Sequence, residues 1–192
     1  MTSVDSPPLR QLIKTARVCG LSEQPALPTQ TRAIIKRADQ AKRLLSRDEL
    51  SLICQASGIG VETLHQLQAD ADNLVAQVCV ELKGERPDLF QPGGALHSNE
   101  RADACWRDCW NFLRVLLYAF AAGQSQFTDP QGMEALRELY LRMAVPMGAM
   151  RTALLRLRER FMEATSNSDE QALVGACFDH LLDNLNNSAV KS

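Results

Sequence analysis

From Thr29 onward, apolar residues recur at three- and four-residue steps with charged residues between them, the period of helices that each bury one face. Ile34, Ile35, Ala38, Ala41, Leu44 and Leu45 form the first such stripe. Ser46, with Glu49 three residues on, is a capping-box signature that starts a second helix, which Gly58 and Gly60 end. Residues 60–85 predict one helix or two, with Leu64, Leu67, Ala71, Leu74, Val75, Val78 and Leu82 on the apolar side. Gly84 and Pro87 mark the end of that stretch. A connector through Pro92-Gly93-Gly94 leads to the longest pattern, from about Ser98 to Ala122, stopped by Gly123. Asp129-Pro130 opens another helix, carrying Met133, Leu136, Leu139, Tyr140 and Met143. Pro146 interrupts it, and Met150, Leu154, Leu155, Leu157 and Phe161 resume the period. A polar hinge over 165–170, with Ser168 as the expected cap, precedes a last helix. No stretch alternates with period two between turn signals, so the pattern predicts an all-α fold.

Residues 1–28 read differently. Ser6-Pro7-Pro8 and Pro25-Ala26-Leu27-Pro28 bracket a short segment in which Leu9, Leu12, Ile13 and Ala16 recur at helical spacing. A helix this short is marginal alone, so the expectation is a flexible or loosely docked N-terminal helical extension. The domain proper is expected to span 29–192.

Composition and charge narrow the functional classes. The chain has 192 residues, 45% of them hydrophobic, with a formal net charge of −2. That charge leaves no concentrated basic surface of the kind nucleic acid requires. No apolar run reaches the roughly 18 residues needed to span a bilayer, and the N-terminus lacks a secretory apolar core, so a cytoplasmic protein is expected. The six cysteines include no C-x-x-C pair, which argues for free thiols and against a structural metal.

On a helical wheel of about 100° per residue, Arg101, Cys105, Asp108, Cys109 and Phe112 fall on one side of the longest helix. Arg107 points away from that stripe. A thiol, a carboxylate and a guanidinium together with an aromatic are costly to bury without partners. On spacing alone the simplest account is that Cys105 is a core residue and Asp108 pairs with a neighbouring arginine. Cys105 lacks a base for nucleophilic catalysis: His97 is eight residues upstream, and no motif surrounds His65 or His180. The same absence of a placed axial histidine disfavours haem. No catalytic residues are expected.

Several segments, in order, carry a resemblance. ADQAKRLLSRDEL, ERPDLFQPGGA, RADACWRDCWNFLRVLLYAFAAG, TDPQGMEALRELYLRMAVP and CFDHLLDNL resemble successive motifs of the phycobiliproteins, over about Thr29 to Ala189. The resemblance implies a globin-like helical domain carrying one open-chain tetrapyrrole of the phycocyanobilin kind, for light harvesting in or near the phycobilisome. By position, Cys105 is then the thioether anchor, Asp108 the partner of the pyrrole nitrogens, Arg107 a propionate contact and Arg101 a basic residue preceding the cysteine. Phe112 is expected among the aromatic walls. It also implies oligomers with itself or with other phycobiliprotein-like subunits, dealings with a bilin lyase or linker protein, and a peripheral place at the thylakoid membrane. This sequence departs from the family pattern at Ala95, Trp106, Trp110 and Asn111, and in its N-terminal extension. Those departures mark a divergent member and motivate an alternative: a pigment-free or transient bilin binder acting as an accessory or assembly factor. A Trp106 or Trp110 ring filling the cleft beside Cys105 would favour that alternative.

Overall fold

The computed structural model describes residues 7–186. Nine α-helices occur among them: α1 (Leu9–Thr15), α2 (Thr29–Gln40), α3 (Arg47–Ser57), α4 (Val61–Ala69), α5 (Ala71–Glu85), α6 (Asn99–Ala121), α7 (Pro130–Arg142), α8 (Met147–Ala164) and α9 (Ser168–Asn186). Short 3-10 turns at Leu21–Glu23 and Pro87–Phe90 join α1 to α2 and α5 to α6. α6 is the axis of the molecule: α3, α4, α5, α8 and α9 all pack against it. From Phe112 to Ala122 every one of its residues is buried, so its C-terminal half is enclosed on all sides. Its N-terminal half keeps one exposed face, with Arg101 and Arg107 on it and Cys105 buried behind it.

Helix boundaries follow local chemistry. Ser46 and Glu49 exchange the two bonds of a capping box at the start of α3, and Gly58, at φ 80°, ends that helix in the left-handed conformation. Asp129 caps α7 by accepting the Gly132 N–H at 2.5 Å. The stretch after Gly60 forms two helices, broken at Asp70. Two expectations are corrected. The first stripe does not remain helical to Leu45: α2 stops at Gln40 because Lys42 takes a positive φ of 51°, which turns the chain so that Leu45 still reaches the core. Ser168 is not the cap of α9; the Asn167 carboxamide accepts the Asp169 and Glu170 N–H groups, so the helix begins within the expected hinge.

A buried polar centre ties α2 to α6. The Arg114 guanidinium, 1% exposed, lies 2.9 Å from Asp39 and donates to the Tyr118 hydroxyl at 2.8 Å. Tyr118 in turn donates to the Arg43 carbonyl, just beyond the end of α2.

Residues 7–28 form a strap. α1 lies along α7, and the chain after it makes an isolated antiparallel bridge, Cys19 with Thr128. Cys19, Leu21 and Leu27 enter the core. Of the four apolar residues of the α1 region, Leu12 is buried and Ala16 half-buried, whereas Leu9 and Ile13 are exposed. Met143, expected on the inner face of α7, is also exposed, because α7 ends one residue before it.

Candidate functional site

The stripe expected from the helical wheel is present, but its members have unequal fates. Cys105, Cys109 and Phe112 are buried, Asp108 is half-buried, and Arg101 and Arg107 are exposed. Asp108 does not pair with an arginine. Its carboxylate accepts the Tyr140 hydroxyl of α7 at 2.8 Å. Arg101 is spent on structure: its side chain donates to the Ala95 carbonyl at 2.9 Å and the Ala144 carbonyl at 3.0 Å, stapling the connector before α6 to the turn after α7. Arg107 has no ion-pair partner among the described residues, and its positive charge is felt at Asp108. In the sequence Tyr140 reads only as an apolar position of α7. The spacing of α7 carries no signal that its hydroxyl would meet Asp108.

Burial sets the ionisation of this group. The Cys105 thiol is pushed up to about 12, first by burial and then by the negative charge of Asp108. It is therefore protonated at neutral pH, unlike the depressed thiols of reactive cysteines. Asp108 is raised by burial, against the opposing Tyr140 hydrogen bond and Arg107 charge. Tyr140 is raised by burial and by Asp108, so it stays a hydrogen-bond donor.

A cleft of about 120 Å³ opens beside this pair, lined by Asp108, Asn111, Phe112, Arg114 and Val115 of α6, Leu136 and Tyr140 of α7, Asp39 and Lys42, and Ala16 to Val18 of the strap. The two tryptophans face elsewhere. Trp106 stacks on Phe90 at 6.3 Å between ring centres, and Trp110 donates its indole N–H to Asp72 at 2.8 Å. Neither ring lines the cleft; Tyr140 does.

Because Asp108 carries a raised pKa in the folded state, its charge costs stability at neutral pH. Between the ordinary aspartate range and the raised value the folded chain binds more protons than the unfolded chain, so stability falls as pH rises through that window. We therefore expect Asp108→Asn, which still accepts from Tyr140, to raise the ligand-free melting temperature at pH 7. The gain should shrink as pH falls toward the ordinary aspartate range. A melting temperature unchanged or lowered at pH 7 would refute the assignment.

A long helix enclosed by shorter ones is a globin-like helical arrangement, and of the stripe on that helix Asp108 and Phe112 line the cleft while Cys105 does not. The chain belongs to the phycobilisome protein family, whose model matches residues 33–185. It is 28% identical over 147 residues to the C-phycocyanin beta chain of Rhodella violacea, covering 75% of this chain and 85% of that one. A C-phycocyanin-3 beta subunit of Microchaete diplosiphon is likewise 28% identical, over 75% of this chain and 84% of its own. Among solved structures, a far-red fluorescent biliprotein derived from an allophycocyanin F subunit of Chroococcidiopsis thermalis superposes with a TM-score of 0.59 at 22% identity. It covers 67% of this chain and 96% of its own, which shows the shared fold. No described helix is long and apolar enough to cross a membrane.

Proposed function

We propose that this protein carries one open-chain tetrapyrrole, attached through Cys105, and serves light harvesting in or near the phycobilisome. The observation that supports it best is the convergence of Cys105, Asp108 and Tyr140 on one face of α6 and α7, inside the span matched by the family model. The donor set suits such a group: a thiol for a thioether, a carboxylate for pyrrole N–H groups, and an exposed guanidinium for a propionate. Bound there, the tetrapyrrole would supply absorption of visible light. The relatives named as C-phycocyanin beta chains and the allophycocyanin-derived biliprotein point the same way.

The chain's own residues have defined tasks in this reading. Cys105 Sγ would hold the group covalently, and must first lose the proton that burial keeps on it. Asp108 would exchange its Tyr140 bond for the pyrrole N–H groups, which releases the Tyr140 hydroxyl to a new partner. Arg107 would pair with a propionate at the surface. Arg101 would act by holding the connector against the turn after α7 rather than by contact. Phe112 and Leu136 supply rigid apolar wall. No reaction on a substrate is performed; the protein positions a pigment and excludes water from it. Association with phycobiliprotein-like subunits, a lyase or linker contact, and a peripheral place at the thylakoid belong to the same proposal.

The cleft of about 120 Å³ is well below the 300–1,000 Å³ typical of ligand pockets, so the described form is closed and must open to load. A closed site with a protonated thiol predicts slow spontaneous attachment and a dependence on an assisting lyase. The test is co-expression with bilin-synthesising enzymes, with and without a lyase, followed by denaturing electrophoresis. Colour should stay with the chain and vanish in Cys105→Ser. A chain that runs colourless while a phycocyanin subunit treated alike keeps its pigment would sink covalent attachment, and would favour the transient binder instead.

A further inference from the structure

The strap closes the cleft, and its two halves are held very differently. Residues 19–28 are anchored: Cys19, Leu21 and Leu27 are buried, and Gly20 donates to the Phe127 carbonyl at 2.7 Å. A Cβ at Gly20 would meet the Thr128 carbonyl at 2.7 Å, so this half fits its seat closely. Residues 7–18 are held by α1 lying along α7, but with few fully buried side chains. Leu12 is the fully buried side chain of α1, a helix of seven residues, and Leu9 and Ile13 face outward. Its other ties lie at its two ends: Arg142 donates to the Pro7 carbonyl at 2.7 Å, Arg17 pairs with Asp129 at 2.8 Å while itself 53% exposed, the Arg17 N–H reaches the Gly132 carbonyl at 3.4 Å, and the Asp129 N–H donates to the Val18 carbonyl at 2.9 Å. Exposed ion pairs contribute little, and so short a helix has almost no stability of its own. Yet this weakly held half supplies Ala16, Arg17 and Val18 to the cleft wall, next to Asp108 and Tyr140. It also lies outside the family match, which begins at residue 33.

We infer that residues 7–18 are a lid that hinges at Val18–Cys19, where the anchored half begins, and gates access to the Asp108–Tyr140 cleft. A segment of low local stability packed over a site opens by itself without unfolding the body. Opening would break the Arg17–Asp129 pair and lift Leu12 out, leaving the anchored half in place. Gly132 marks the seat: a Cβ there would meet the Arg17 carbonyl at 2.4 Å, so only glycine lets the lid lie down on α7. That the gated ligand is a tetrapyrrole rests on the proposed function; that a lid gates the cleft does not.

The full chain tests this with a reporter thiol in the cleft, Asn111→Cys, read by alkylation and mass spectrometry against buried Cys177 as the control for global opening. Leu12→Ala removes the anchor from the lid side, and Gly132→Ala blocks the seat from the body side. Hydrogen exchange of residues 9–18 should accelerate in both. Alkylation at position 111 should rise at least about tenfold, since truncating one buried leucine moves such an equilibrium by more than a decade, while Cys177 stays unchanged. The lid is overturned if exchange of 9–18 accelerates and the position-111 rate does not. It is equally overturned if neither substitution releases 9–18 separately from the body. Adding phycocyanobilin to the same variants separates the two ideas. Faster uptake in step with alkylation supports both, whereas faster alkylation with no uptake in any variant keeps the lid and removes the tetrapyrrole.

Discussion

Replacing Asp39 with alanine will cost about 3 kcal/mol of stability, the range for stranding a buried charge by deleting its partner. The Arg114 guanidinium has 2% of its side chain exposed and lies 2.9 Å from Asp39, its ion-pair partner among the described residues. The Tyr118 hydroxyl shares the site but is already donating to the Arg43 carbonyl, and it stays protonated because burial raises it to about 12. Loss of Asp39 therefore leaves a buried cation against neutral dipoles where α2 meets α6 beside the cleft. The estimate sits at the low end of the range because Asp39 itself is 21% exposed and water can enter where it was. Urea unfolding of Asp39→Ala against the parent chain checks it. Converting the pair together, Asp39→Leu with Arg114→Met, should recover most of the loss, since apolar replacements of buried ion pairs are near neutral. A single-mutant cost below about 1 kcal/mol would mean that the contact contributes no net stability.

Phe112→Ala is the second large effect, about 3 kcal/mol, and it decides what kind of residue Phe112 is. Its ring is 2% exposed and forms part of the cleft wall, so it serves the core and the site at once. Truncating a buried phenylalanine costs 3–5 kcal/mol, and a site bordering an existing cleft lies at the lower end because water can fill the space. Phe112→Leu, which keeps most of the volume, should cost only about 1 kcal/mol. Chemical denaturation of the ligand-free proteins gives both values. If Phe112→Ala unfolds with the same midpoint as the parent chain, the ring is only a wall for a ligand and has no part in the core.

These two residues show what one-dimensional pattern carries and where it stops. Phe112 was placed on the inner stripe of α6 by spacing, and it is there. In the periodicity Asp39 carries no signal, since an aspartate near the end of an amphipathic helix reads as a solvated residue, and the resemblance of the ADQAKRLLSRDEL segment assigns it no role. Its meaning depends on Arg114, 75 residues further on, which itself sits inside a run of apolar positions. Cys105 and Asp108 were legible as a pair because α6 brings positions three apart to one side. Their state was not: burial that holds the thiol protonated, and the Tyr140 hydroxyl that occupies the carboxylate, come from α7. Arg101 shows the same limit from the other direction. It lies at the expected position, yet its donors go to the Ala95 and Ala144 carbonyls.

For residues 91–123, the sequence alone determined the helix, its stop at Gly123, the inner stripe and the family resemblance. These follow from periodicity, turn residues and motif order, which are local properties of the chain. Only the tertiary structure decided that the stripe is closed. The closing parts, Tyr140 from α7 and Ala16 to Val18 from the strap, are distant in sequence, and a short helix with one buried leucine looks the same in sequence whether it docks or frays. Docking is set by complementary shape, a glycine at position 132 that lets the Arg17 backbone approach α7, and no periodicity encodes that.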